Sequence, residues 1–398
     1  MTQEPSPKHP PNPRSHPRPR RLLAWLAPSL IAVTVLALPA VSRADTLLED
    51  AVSFGGSIFH LQTGVPGLVI AAIRDGDTAI AGFGETQRGN GQQPDGDTVL
   101  RIGSITKVFT GQMLAHAATR AEARMTDPIA PYLQGDLATA MQDQPPIRFI
   151  DLVTHSGGLP RELPRQPGPD GDPYATLTHA AFADWLRQNR LDYPPGQAIA
   201  YSNFGFDLLA AALSGAGQDD YTTLVQQRLL DPLGLTDTRF ALTPDMAGRL
   251  MTGHAPDGSA LPDIPSGVAN AGSGGLRSTA RDMLRWMAWH LSDYGPDPEV
   301  RLLDHAAYVS RAGKRMVLSM DESGRMDEMG LGWVVMYPHD RQPRILQKAG
   351  ALQGQMSLVM LAPDRKAGVF VSINQYDFAA AYAMAGFAAG LLDEITTD

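Results

Sequence analysis

Two apolar runs early in the chain have strand character. Gly67–Arg74 (GLVIAAIR) and Thr78–Phe83 flank Asp75-Gly76-Asp77, whose residue types suit a tight hairpin turn. Gly84–Asp97 is rich in Gly, Gln and Asp and reads as a loop. From Ser104 to about Thr119 the spacing turns helical, with Val108, Phe109, Met113, Leu114 and Ala117 on one side. Ser104 stands at the start of that helix, where serine is favoured and backbone N–H groups are free.

From about residue 126 to 265 the pattern is mostly helical with Pro- and Gly-rich joints. His179–Arg187, Phe204–Leu213 and Tyr221–Leu230 are the clearest helices, and Ala280–Leu291 adds another. Strand patterns return at Gly332–Met336, Arg344–Lys348, Met356–Leu361 and Gly368–Ile373, and a last helix covers about Ala379–Glu394. Strands from both ends of the chain would pair mainly antiparallel. The expected architecture is therefore an α/β (α+β) two-layer arrangement with an inserted helical lobe, not a doubly wound fold.

The first 44 residues have a different character. A Pro- and Arg-rich head ends in Arg18, Arg20 and Arg21. An apolar run, Leu22 to Leu38, follows, and then the small-x-small triplet Ser42-Arg43-Ala44. This is the pattern of a secretory signal cut after Ala44, with an uncleaved anchor as the alternative. Arg20-Arg21 leaves a twin-arginine route open beside the general one. His9 and His16 fall in this segment. No later segment reads as long and apolar enough to span a membrane. The expected division is 1–44 signal and 45–398 catalytic domain, with a sheet lobe at about 45–125 and 266–398 and a helical lobe at about 126–265.

Charge and composition narrow the function. The chain carries −9, and residues 1–44 carry +5 (Lys8, five Arg and Glu4), so export would leave −14. So acidic a surface repels phosphate backbones and argues against nucleic acid as a partner. There is no Cys, hence no disulfide framework, thiol nucleophile or thiolate metal site.

Ser104-Ile105-Thr106-Lys107 places an amine one helical turn from a hydroxyl. A serine hydroxyl is a weak nucleophile until a base takes its proton, and a lysine with a lowered pKa can serve. Twenty Ser and five Lys would give this spacing by chance roughly one time in four. The pair gains weight because 28 of the 33 basic residues are Arg, which cannot act as a base. Tyr201-Ser202-Asn203 offers a phenol to relay a proton and an amide to orient a carbonyl and the lysine. Lys348-Ala349-Gly350 offers positive charge and a strand edge along which a substrate backbone can pair. Standing alone, each would be ordinary: a capping Asn beside a buried Tyr, and a strand-end Lys. His155 reads as a structural histidine, and Trp286 and Trp289 as packing rather than a sugar platform.

In the order S-x-x-K, Y-x-N, K-x-G, the three motifs make the chain resemble the serine penicillin-binding proteins and class C β-lactamases. Further segments are similar to family patterns: Leu100–Gly103, Asp151–Pro160, Asp231–Leu235, and Ser273–Thr279 with Asp282-Met283. Within the family it resembles the AmpH-type D-alanyl-D-alanine carboxypeptidase/endopeptidases, through Leu159–Glu162, Tyr201–Leu209, Asp282–Met287 and Leu331–Val334.

The resemblance implies a β-lactamase/DD-peptidase-like fold. It implies Ser104 as nucleophile, Lys107 or Tyr201 or both as base, Asn203 orienting substrate and Lys107, and Lys348 adding field. Backbone N–H groups of Ser104 and Ala351 would form the oxyanion hole, with Ala349 and Gly350 beside the substrate. It implies peptidoglycan peptides and β-lactams as partners, no cofactor or metal, and a periplasmic location with loose inner-membrane association left open. Many relatives carry Thr at the position of Ala349, where a hydroxyl would grip a substrate carboxylate. Its absence favours endopeptidase or ester chemistry over strict carboxypeptidase action. A β-lactamase or esterase would use the same residues. A penicillin-sensing or binding protein would not need them intact, and no G-x-S-x-G points to an α/β-hydrolase.

Overall fold

The computed structural model describes residues 46–397; the expected signal, 1–44, lies outside the described residues. The helices are α1 (Thr46–Thr63), α2 (Thr106–Thr119), α3 (Gly135–Met141), α4 (Phe149–Val153), α5 (His179–Gln188), α6 (Asn203–Gly217), α7 (Tyr221–Val225), α8 (Pro244–Gly248), α9 (Ala271–Gly274), α10 (Ala280–Leu291), α11 (Pro298–His305) and α12 (Phe378–Thr396). The strands are β1 (Gly67–Arg74), β2 (Asp77–Gly84), β3 (Val99–Arg101), β4 (Ile199–Ala200), β5 (Arg277–Thr279), β6 (Val309–Ser310), β7 (Val317–Leu318), β8 (Glu328–Met329), β9 (Val334–Met336), β10 (Ile345–Leu352), β11 (Gln355–Ala362) and β12 (Ala367–Ile373).

Eight strands form one antiparallel sheet in the order β2-β1-β12-β11-β10-β9-β8-β6. The first strand of the domain, β1, pairs with its last, β12, as expected from strands at both ends. Asp75 and Gly76 both have positive φ and close a two-residue hairpin in which Arg74 faces Asp77.

The apolar strands are buried on both faces because their alternate residues feed two cores. Val69, Ala71 and Ile73 of β1 point into one, and Leu68, Ile70 and Ala72 into the other. The second core is closed by α1 and α12, through Leu48, Val52 and Phe59 and through Met384, Ala388 and Leu391. The first is closed by α10 and α2 and runs on without a break into the inserted helices, taking in Phe182, Phe204, Leu209 and Leu224.

Several expectations need correction. A helix, α1, precedes the first strand. Its apolar positions lie on two faces (Leu48, Val52 and Phe59 buried; Leu47, Phe54 and Leu61 exposed), which blurs the one-sided pattern a reader looks for. Helix α2 is buried all round rather than on one side, because α6, α9 and α11 enclose it. Ser104 stands in a 3₁₀ turn, Gly103–Ile105, ahead of α2. The helix at Tyr221 passes into a π turn over Gln226–Leu230. Helix α12 does have the length and composition to cross a membrane. Here, however, it lies on the sheet, its small and apolar side chains against β11 and β12. Trp286 is fully buried, stacked on Phe109 (4.5 Å) and Trp333 (5.6 Å), and Trp289 is buried beside it, so both are packing residues.

Candidate active site

The three motifs converge from distant parts of the chain. Ser104 enters on the 3₁₀ turn ahead of α2, and Lys107 from the first turn of α2 itself. Tyr201 and Asn203 flank Ser202, whose Oγ accepts from the Gly205 N–H (2.9 Å) and caps α6. That cap fixes where the helix begins and so where both neighbouring side chains project. Lys348 comes from β10.

Close main-chain approach brings β10 to the serine. Strand β9 pairs with β10 only at Ile345–Gln347, so the edge beyond is open to the 3₁₀ turn. A Cβ on Gly350 would lie 2.0 Å from the Ile102 carbonyl oxygen and 2.9 Å from the Ser104 N. A Cβ on Gly103, whose φ is +49°, would lie 2.7 Å from the Ala351 N. Only glycine at both positions lets the backbone of Ser104 and Ala351 meet.

The side chains then form a connected set. Lys107 Nζ lies 3.2 Å from Ser104 Oγ and donates to Asn203 Oδ1 and the Ser273 carbonyl, both at 2.6 Å. Tyr201 donates its hydroxyl to Ser104 Oγ at 2.6 Å. Three cations sit over the Tyr201 ring: Lys348 Nζ at 4.7 Å, Lys107 Nζ at 4.9 Å and the Arg161 guanidinium at 4.7 Å. His155, buried, stacks on the Tyr201 ring at 4.6 Å and accepts the Ser202 N–H at Nδ1 (3.1 Å). Burial and the nearby Lys348, Lys107 and Arg161 hold its pKa well below the usual histidine value, so the ring is neutral.

Burial also shapes the two lysines. Lys107 is pulled down to about 7, chiefly by loss of water and further by Arg161, against the opposing pull of Asp207 and Glu162. Lys348 is pulled down to about 8 by burial, with Lys107 and Arg161 adding to it while Tyr201 and Glu322 oppose. Near neutral pH, Lys107 therefore has a substantial neutral fraction able to accept a proton. The set opens onto a cleft of about 870 Å³. Its lining includes Arg161 and Glu162 as well as Tyr376, Phe378 and Tyr382. Ala349, Gly350 and Ala351 line it too.

The structure thus brings together all eight residues singled out from the sequence. The sequence reading gave no role to Asp207 beneath Lys107, to Ser273, or to Glu162, which accepts from Asn203 Nδ2. The one available signal was that each lies within a segment already similar to the family. Among the described residues, one group could hold a metal: His290, Asp304 and His305, with ligand atoms within 4.8 Å of one another.

Comparison with known proteins agrees with the geometry. The β-lactamase family model matches residues 44–392. The chain belongs to the β-lactamase family. It is 33% identical over 328 residues to the D-alanyl-D-alanine-carboxypeptidase/endopeptidase AmpH of Escherichia coli (strain K12), covering 81% of this chain and 82% of that one. To a β-lactamase of Lysobacter lactamgenus it is 25% identical over 357 residues, 85% of this chain and 88% of the relative. Among solved structures, the β-lactamase/D-alanine carboxypeptidase of Yersinia pestis, complexed with citrate, matches with a TM-score of 0.78 and 30% identity over 88% of this chain and 99% of that one. A class C β-lactamase from Rhodobacter sphaeroides has the same fold, with a TM-score of 0.71 at 23% identity over 87% of this chain and all of that one.

Proposed function

We propose that this member of the β-lactamase family is a periplasmic serine D,D-peptidase. It cleaves D-alanyl peptide bonds of peptidoglycan stem peptides through a Ser104 acyl-enzyme, and it binds penicillin. One observation carries the reading: a serine hydroxyl within 3.2 Å of a lysine amine and 2.6 Å of a phenol, at the floor of a cleft.

In this mechanism Ser104 Oγ attacks the scissile carbonyl while its proton passes to Lys107, to Tyr201, or through Tyr201 to Lys107. The carbonyl oxygen takes up charge between the N–H groups of Ser104 and Ala351. Asn203 orients Lys107 and the substrate, and Lys348 supplies field. The proton returns to the departing amine, and water then releases the acyl group. The division into a sheet lobe and a helical lobe, and removal of 1–44 after export, belong to the same proposal. N-terminal sequencing of the protein from a periplasmic extract tests the latter.

Fluorescent penicillin should add covalently to Ser104, seen by intact mass. Folded protein without an adduct would end the acyl-enzyme reading. Digestion of cross-linked muropeptides should release D-alanine or monomers. A second reading, hydrolysis of neutral esters, is favoured by Ala349, which presents a methyl group to the cleft, and by the aromatic wall of Tyr376, Phe378 and Tyr382. Turnover of esters with no product from muropeptides would favour it.

A further inference from the structure

Arg161 is unlike the other cations of the cleft. Lys107 is held by Asn203 and the Ser273 carbonyl. Arg165 is folded back onto the Pro173 carbonyl (2.8 Å) and Thr176. Lys348 is buried in the floor. Arg161 is exposed and lines the cleft, and among the described residues its guanidinium has no carboxylate or carbonyl partner. It is nevertheless not adrift. Its carbonyl accepts the Asn203 N–H at 2.7 Å, and the carbonyl of Pro160 before it accepts from Ser202 Oγ at 2.6 Å. The segment carrying Arg161 is thereby tied to the start of α6. The guanidinium lies 4.7 Å from the ring centroid of the same phenol that donates to Ser104.

A planar, permanently charged fork facing open cleft suits a carboxylate, which it can bind through two parallel hydrogen bonds. Ala349 on β10 offers a carboxylate nothing. We infer that Arg161 is a specificity-determining residue that receives a carboxylate of the substrate. The inference rests on the acyl-transfer reading above. Two carboxylates share this chemistry: the C-terminal one on the leaving side of the scissile bond, and one carried by an acidic residue on the acyl side.

Matched ligand pairs on the full chain decide it. One pair is an acyl-D-alanyl-D-alanine peptide as free acid and as C-terminal amide. A second is the same peptide with its acyl-side carboxylate free or amidated. The third is benzylpenicillin and its methyl ester. In Arg161→Ala the ratio of kcat/KM for the charged over the neutral member should fall about tenfold in at least one pair, mainly through KM. Arg161→Lys should retain part of the preference. The responding pair names the carboxylate. General damage to the site lowers both members alike, so a ratio unchanged within twofold in all pairs overturns the inference. Should the Ala variant not fold, Arg161→Gln carries the same ratio. If the wild type cleaves no peptide but is acylated by benzylpenicillin, the peptidase reading falls, and the penicillin pair still decides Arg161. Reaction with none of the pairs overturns both.

Discussion

Among the described residues, the buried titratable groups around Ser104 and those around His290 invite comparison, and of these two clusters the first alone has the makings of a catalytic site. Around Ser104, burial pulls two lysines down and the set opens onto a cleft. Around His290, burial is as effective but nothing opens. His290 Nδ1 and His305 Nε2 are 3.0 Å apart, and Asp304 Oδ2 lies 3.6 Å from His290 and accepts from Trp333 Nε1 at 2.8 Å. Asp304 is pushed up to about 8 and His305 down to about 4, while His290 falls well below its usual value, all chiefly through burial. The directions make this a neutral, hydrogen-bonded cluster rather than an ion pair. It fastens α10 to α11, and α11 packs on α2. Displaced titration therefore marks both sites equally. Access and a nucleophile separate them.

The sharpest way to break this contrast is to damage each cluster in turn. Lys107→Ala should slow acylation by penicillin at least about 10³-fold with little change in melting temperature. His290→Ala should do the reverse, leaving acylation within about twofold while costing about 2–4 kcal/mol in a denaturant titration. Similar effects from both variants would dissolve the distinction.

The pH dependence comes next. Acylation should rise as Lys107 loses its proton near pH 7 and fall as Lys348 loses its charge near pH 8, giving a narrow bell. Arg161→Ala should move the rising limb upward, since that guanidinium helps to depress Lys107. A flat profile between pH 6 and 9 would remove Lys107 from the role of base.

A smaller effect belongs to the sealed cluster. The folded pKa of Asp304 lies above its unfolded value. Its contribution to stability is therefore complete below pH 3.8 and is lost as pH rises through about 8. Relative to Asp304→Asn, the wild type should lose at most about 1.4 kcal/mol per pH unit across that window. Equal slopes in the two proteins would mean that Asp304 titrates normally. The smallest expected change is at the cleft rim. Ala349→Thr should raise the preference for a charged over a neutral penicillin about fivefold, near 1 kcal/mol, read from the acylation rates of the acid and its methyl ester.

Much of the sheet was legible because its strands are bounded by turn residues and rich in apolar side chains. β1, β10, β11 and β12 appear near their expected positions. Helix α1 was missed and α2 misjudged as one-sided for a common reason. The pattern of a single helix shows which residues are apolar, but not how many neighbours will cover them.

Motif order and residue type were the sequence's to determine: a Ser-Lys pair, a Tyr-Ser-Asn run in which the cap of α6 is Ser202 rather than the Asn203 read as a capping residue, and a Lys followed two residues on by Gly. These depend on local chemistry, which a short stretch of chain carries within itself. Tertiary structure alone decided that residues nearly 250 positions apart share one cleft, and that burial brings Lys107 down to about 7. It also decided that Arg161 faces the cleft with no carboxylate or carbonyl partner among the described residues, while His290 and Asp304 are sealed away. Desolvation and access are properties of what surrounds a residue, and the surroundings here come from distant parts of the chain.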